Sequence, residues 1–175
     1  MQLSGHFSLK ELTQSQTALR KGIDNTPTPE HIENLTDLCL QILEPTRRNF
    51  GKPMVITSGF RSEALCKAIG SKPTSQHAQG MAADFEMFGE DNKTLASYIN
   101  DNLIFDQLIL EFYNPEEANS GWVHCSYNKN DNQISVALDK VTGDDNSYED
   151  LLVITVNGNV FTLKFDEYSP IRPIT

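Results

Sequence analysis

The 175-residue chain has only three cysteines, Cys39, Cys66 and Cys125, and they fall at no regular spacing. An odd number with no C-x-x-C pair does not read as a disulfide framework. Buried free thiols are the expected state, which suits a reducing compartment. Positive charge is also scarce: 14 Lys and Arg against 24 Asp and Glu leave a net charge of −10. That argues against general nucleic-acid binding, which needs a basic patch, and gives no reason to expect attachment to an anionic membrane surface. No apolar run approaches the roughly 20 residues of a membrane helix, so no membrane insertion is expected. The opening Met1 to His6 carries neither the basic nor the apolar region of a secretory signal. The expected product is made in the cytoplasm, and any action outside needs another agent to release it. Low-complexity tracts are missing too, and the length suits one well-buried core.

The local patterns divide the chain into helices and strands. Phe7 precedes Ser8-Leu9-Lys10-Glu11, a capping box with a hydrophobic staple that starts a short helix. Gly22 to Pro29 is a turn-rich connector. Thr28-Pro29-Glu30 then starts a longer helix, with a cap, a proline at the first helical position and an acid in the first turn. Ile32, Leu35, Leu38, Cys39, Ile42 and Leu43 recur at helical spacing and bury one face. Pro45 is expected to kink or interrupt this helix, and Gly51 ends it. Strands are predicted at 54–57, 82–87, 105–112, 122–127 and 134–138, and helices at 62–70 and 92–102. His6 and His31 have no partners at useful spacing and read as surface or capping residues. After Lys140 a polar, acidic stretch (141–150) reads as a linker. Val153-Ile154-Thr155-Val156, Asn157-Gly158 and Val160-Phe161-Thr162-Leu163 then read as a β-hairpin. The expected division is a domain over 1–140 and a linker with hairpin over 141–175.

Ser75-Gln76-His77-Ala78-Gln79-Gly80-Met81-Ala82-Ala83-Asp84 carries the chemistry. A histidine and an aspartate stand seven positions apart, and Gly80 lets the chain reverse so that they converge. Trp122-Val123-His124 supplies a second histidine in an apolar strand. Taken singly, such residues are usually a structural histidine and a cap. Together, Asp84 and His124 place polar groups in apolar runs, where an unpaired charge is costly. A shared dication explains their burial. Two imidazoles and one carboxylate suit Zn²⁺ better than Ca²⁺, which takes more oxygens. Three protein ligands with one open position is the catalytic form of a zinc site. Cys125 must face the other side of its strand from His124, so it is not a fourth ligand.

Three segments in this order, Ser58-Gly59-Phe60-Arg61-Ser62, Ser75-x-His77-x-x-Gly80-x-Ala82-x-Asp84 and Trp122-Val123-His124, resemble the signature of the M15 zinc peptidases, the D-Ala-D-Ala carboxypeptidase and endopeptidase family. The resemblance covers roughly residues 7 to 140. With the Phe7 to Ala18 segment and Gly22 to Pro27, it is similar in particular to the compact, phage- and prophage-encoded branch. It implies an α+β fold in which a small antiparallel sheet carries the metal site, helices pack on one side, and the C-terminal β-hairpin is an addition. It implies hydrolysis of peptide bonds in peptidoglycan stem peptides. By matched position His77, Asp84 and His124 become the zinc ligands, and Arg61 the residue that binds substrate and polarises its carbonyl. Ser75 and Gln76 become outer or substrate-contacting positions, with Ser75 preferred.

Several family members place a glutamate three residues before the last histidine ligand, and here that position is Gly121. The general base is therefore sought nearby. Glu111 ends the apolar strand Leu108-Ile109-Leu110 and is the first candidate; Glu117, in a polar loop, is the second. Trp122 is read as a wall of the substrate pocket. Two other readings stay open: a non-catalytic zinc-bearing binding module, and a virion component whose added hairpin serves assembly. Which bond is cut, D-Ala-D-Ala, L-Ala-D-Glu or a cross-bridge, depends on loop shape around Arg61 and residues 113–121. The expected place of action is the cell wall, reached after release from the cell or on a virion.

Overall fold

Ser8 caps the first helix, α1 (Leu9–Thr13), as its sequence predicts: its hydroxyl accepts from the Glu11 amide, and the Glu11 carboxylate accepts from Ser8 N–H at 2.8 Å. A second short helix, α2 (Gln16–Lys21), is not foreseen in the sequence; it starts on Ser15 and stops at Gly22. Thr28 and Pro29 open α3 (Pro29–Leu38), and His31 completes its capping box. The expected interruption by Pro45 takes a specific form. Cys39–Leu43 is a π-helical turn, followed by α4 (Glu44–Phe50). Proline has no N–H for the carbonyl four residues back and its ring crowds it. A widened turn just before the proline absorbs that misfit without ending the helix. Leu35, Leu38, Cys39, Ile42 and Leu43 are fully buried along this rod. Truncating one such leucine to alanine costs about 2–5 kcal/mol. Helices α5 (Glu63–Ala68) and α6 (Asn92–Asn102) complete the helical set.

The computed structural model describes residues 1–117 and 119–130, and beyond them the backbone of strands at 135–142, 148–156 and 159–164. The strands are β1 (Met54–Ser58), β2 (Ala82–Met87), β3 (Gln107–Glu111), β4 (Trp122–Ser126), β5 (Ser135–Thr142), β6 (Tyr148–Val156) and β7 (Asn159–Lys164). They form one sheet in the order β1-β2-β4-β3-β5-β6-β7. The first four pair antiparallel, β5 joins β3 in parallel, and β6 and β7 continue antiparallel. The fold is α+β, and the C-terminal hairpin extends the same sheet. The stretch 141–150, read from sequence as a linker, is strand at both ends: β5 runs to Thr142 and β6 begins at Tyr148. Residues 143–147, Ile134 and the Asn157-Gly158 turn lie outside the described residues.

Alternation along the strands gives the sheet two unlike faces. Met54, Ile56, Ala83, Phe85, Met87, Leu108, Leu110, Val123 and Cys125 belong to the buried core together with the helix residues above. The other face presents Asp84, His124, Ile109, Glu111 and Trp122, in the register Asp84↔His124, Ile109↔His124 and Glu111↔Trp122. Cys125 lies on the core side, opposite to His124, as the alternation requires. All three cysteines are buried and free, and burial pushes the Cys39 thiol up to about 12. Among the described residues no helix is long and apolar enough to cross a membrane.

His6 lies at the surface, as its sequence suggests, and the fold gives it a distant partner. Its Nδ1 lies 2.6 Å from Oε1 of Glu44, a buried carboxylate that also accepts from Ser4 Oγ, His6 N and Arg48 Nε. Sequence spacing does not show this, because the partners are 38 residues apart. Burial alone would raise the Glu44 carboxyl, but the hydrogen bonds from His6 and Ser4 outweigh it and hold it below the usual carboxylate range. A depressed native pKa contributes stability that is present above the unfolded-state value, about 4.3, and is lost as pH falls through the native value. Urea midpoints should therefore fall more steeply from pH 6 to pH 3 in the wild type than in Glu44→Gln. Parallel pH profiles would show that this carboxylate is not coupled to folding.

Candidate metal centre

His77 sits in a 3₁₀ turn (Gln76–Gln79), to which the sequence reading assigns no element. Ser75 caps the turn by accepting from the His77 amide, and Gly80 closes it at φ 71. Gly80 also packs so closely on α3 that an added Cβ would lie 2.6 Å from the His31 carbonyl oxygen. The turn thus delivers His77 to the sheet face, where the β2–β4 register has already set Asp84 beside His124. His77 Nε2 lies 3.2 Å from His124 Nδ1 and 3.2 Å from Asp84 Oδ1, and His124 Nδ1 lies 2.8 Å from the same oxygen. The three are buried, and one ligand atom from each falls within 4.8 Å of the others.

The surroundings orient these atoms. His77 Nδ1 donates to the Gly59 carbonyl at 2.7 Å, which leaves Nε2 with its lone pair toward the cluster. Arg61 Nη2 donates to Asp84 Oδ2 at 2.5 Å, leaving Oδ1 toward the imidazoles. Burial lowers the His77 pKa and favours the neutral ring. Burial works to raise Asp84, but the hydrogen bond from His124 and the field of the two imidazoles prevail and keep it an anion well below the usual range. His124 Nε2 is buried and has no hydrogen-bond partner among the described residues. A lone pair and a carboxylate oxygen facing each other at such distances are compatible only with a shared proton or cation between them. Two neutral nitrogens and one anionic oxygen are the donor types that Zn²⁺ takes. The residues present therefore fit the ion.

The loop from Ser58 to Ser62 brackets the cluster. A register shift between Ile56 and Ser58 brings Ser58 opposite Asp84, and Ser58 Oγ accepts from Arg61 Nε at 2.8 Å. Arg61 N donates to the His77 carbonyl at 3.2 Å, and Phe60 N to the Leu12 carbonyl at 2.7 Å. Gly59 has no room for a side chain, since a Cβ there would stand 2.3 Å from Leu12 O. Asn25 ties the arrangement together. Its amide donates to Thr13 O at 2.8 Å and Phe60 O at 3.1 Å, and its carbonyl accepts from Ser62 N at 2.7 Å. The sequence noted this residue only within a turn-rich connector. An asparagine's full hydrogen-bonding capacity is a signal only once its distant partners are known.

An open cleft of about 300 Å³ lies over the cluster, and Arg61, Ser75, Glu111 and Trp122 line it with the three ligand candidates. Trp122 packs against Phe112, ring centroids 5.1 Å apart. Glu116 and Glu117 are exposed in the 113–120 loop and do not line the cleft. Gly121 has φ 65, and a Cβ on it would lie 1.9 Å from the Glu111 carbonyl oxygen. The position where part of the resembled family carries its glutamate can therefore hold no side chain here. Opposite it, Glu111 stands at the end of β3 on the cluster's side of the sheet. Gln76, the other residue of the motif, donates to Asp106 through its side-chain amide.

Two substitutions probe this frame. Asn25→Asp keeps the shape but removes both N–H donors, and should weaken zinc affinity about tenfold in chelator competition; an unchanged affinity would show that the loop holds without Asn25. Gly121→Ala should destabilise the fold by at least ~1–3 kcal/mol, from its positive φ and the collision with Glu111. Chemical denaturation at neutral pH measures that cost.

No curated protein matches the chain. The family described as Peptidase M15 matches residues 5–126, well over half of the chain and the segment that contains every element of the cluster and its cleft. With that match and the His77–Asp84–His124 group on one sheet face, the chain belongs to the M15 peptidase family.

Proposed function

We propose that this protein is a zinc peptidase that hydrolyses peptide bonds in bacterial peptidoglycan stems, with His77, Asp84 and His124 holding the ion. The observation that carries the reading is the convergence of three ligand atoms within 4.8 Å under an open cleft, in a chain of a peptidase family. Zinc bound there would supply a water of lowered pKa and a Lewis acid for the scissile carbonyl.

The remaining roles fall to residues of the cleft. Glu111 takes the proton of the attacking water and passes it to the leaving amine. Its support is its place two residues along β3 from Ile109, which pairs with His124, and its share in the cleft wall. Arg61 keeps a hold on Asp84 and offers its remaining N–H groups to the developing oxyanion or to a substrate carboxylate. Trp122 is a wall for the peptide. Ser75 adds a hydroxyl at the rim while capping the turn of His77. Resemblance of the N-terminal segment to the phage- and prophage-encoded branch supports a role in cell-wall lysis, in which the protein meets its substrate after release or on a virion.

Incubation with purified sacculi should release free amines, and a chelator should abolish the release. Zinc bound tightly with no such release would leave the non-catalytic binding module as the better reading. Glu111→Gln should lower turnover by about 10²–10⁴ while zinc content stays at one per chain. Glu117→Gln should stay close to wild type, and the reverse pattern would move the base to the loop.

A further inference from the structure

Two of the three ligand candidates are fixed by strand register, and the third is not. Asp84 and His124 face each other across β2 and β4, whereas His77 stands in a four-residue 3₁₀ turn. The hydrogen bonds inside such a turn are poorly aligned, so its place over the sheet depends on ties to other segments. Three bonds to its carbonyls supply some of them. Arg61 N donates to the His77 carbonyl at 3.2 Å, Asn34 Nδ2 to the Gln79 carbonyl at 2.9 Å, and Met81 N to the Gln76 carbonyl at 2.9 Å. These ties run to the 58–62 loop, to α3 and to the residue leading into β2.

None of these three reaches β3 or β4, and Gln76 does. Its side-chain amide donates to Asp106 Oδ2, 30 residues along the chain. Asp106 stands just before β3 and is itself pinned to β4. Its amide donates to the Ser126 carbonyl at 2.9 Å, and the neighbouring Gln107 amide donates to Ser126 Oγ at 2.9 Å. Ser126 is fully buried and lies two residues along β4 from His124. The Asp106 carboxylate therefore bridges the turn that carries His77 to the strand that carries His124. A bond from an amide to a carboxylate is stronger than one between neutral groups, and here both side chains are half-buried. Gln76 is the chain neighbour of His77, so a displaced Gln76 displaces the imidazole with it.

Resting on the reading of the cluster as a zinc site, we propose that Asp106 is a positioning residue for the metal: through Gln76 it holds the His77 imidazole within reach of the ion that Asp84 and His124 share. Nothing in the spacing of the sequence marks Asp106 for this role, because its partner comes from a distant segment.

The test exchanges donor and acceptor in the full-length protein. Gln76→Glu sets two carboxylates against each other, and Asp106→Ala removes the acceptor. Each should weaken zinc binding roughly ten- to a hundredfold in chelator competition. Each should also alter the visible spectrum of the cobalt-substituted protein, which reports the number and geometry of the ligands. The double variant Gln76→Glu/Asp106→Asn rebuilds the bond with its polarity reversed and should recover both affinity and spectrum. If Asp106→Ala does not fold, Gln76→Met, which keeps the side chain's length and removes its donor, gives the same readout. A bond with a structural role only would lower the urea midpoint of the metal-free protein and leave affinity and spectrum as in wild type; that result overturns the proposal. A loss that the double variant does not recover overturns it as well. Wild-type protein that binds no zinc overturns the zinc reading itself, whereas zinc bound equally by wild type and single variants overturns only the role of Asp106.

Discussion

One carboxylate oxygen, Asp84 Oδ1, meets two imidazole nitrogens on a sheet whose other face is apolar along β1 to β4, and the arrangement around it exists to keep that meeting in place. Such groups repel or must be neutralised when they are withdrawn from water. The chain resolves this by fixing each of them from behind. Arg61 holds the second oxygen of Asp84, the Gly59 carbonyl holds the far nitrogen of His77, and the strand register holds His124 opposite Asp84. The hydrophobic side of the same strands buries Phe85 and Val123 completely, so the backbone that carries Asp84 and His124 cannot drift without opening the core.

The parts of this design that were legible in the sequence are those written in local spacing. Alternation in Trp122–Ser126 put Cys125 on the face opposite to His124. Ser8, Thr28 and Ser62 marked helix starts through cap chemistry that depends on a few neighbouring residues. The illegible parts rest on contacts between distant segments. Asn25 bridges Thr13, Phe60 and Ser62; His6 finds Glu44; Leu12 closes against Gly59. Each involves ordinary residues whose partners only the fold supplies. The π turn before Pro45 was foreseen as a disturbance, but its form depends on the core holding Ile42 and Leu43 in place on either side of the misfit.

Gly121 and Glu111 are pressed together where β3 and β4 meet. With Gly121 in a left-handed conformation and pressed against the Glu111 carbonyl, the end of the β3–β4 connection is too tight to carry an acid of its own. The carboxylate that reaches the cleft comes from the facing strand. Phe112, the next residue, also has a positive φ of 54, so the chain turns sharply straight after Glu111. The direction of the Glu111 side chain is thus set by the last regular residue of a strand and not by a loop, which keeps it in step with Ile109 and the cluster.

The position of β3 within the sheet has a further meaning. Glu111 pairs with Trp122 on one side and with Lys140 of β5 on the other. A four-stranded sheet would leave β3 as a border, with a row of unsatisfied amides and carbonyls ready to recruit a neighbouring molecule. The parallel strand laid along it moves that vulnerable margin outward to β7, away from the cleft. Strand β5, with β6 and β7 beyond it, thereby acts as a selvedge: it covers the seam along β3 and supports the strand that carries Glu111.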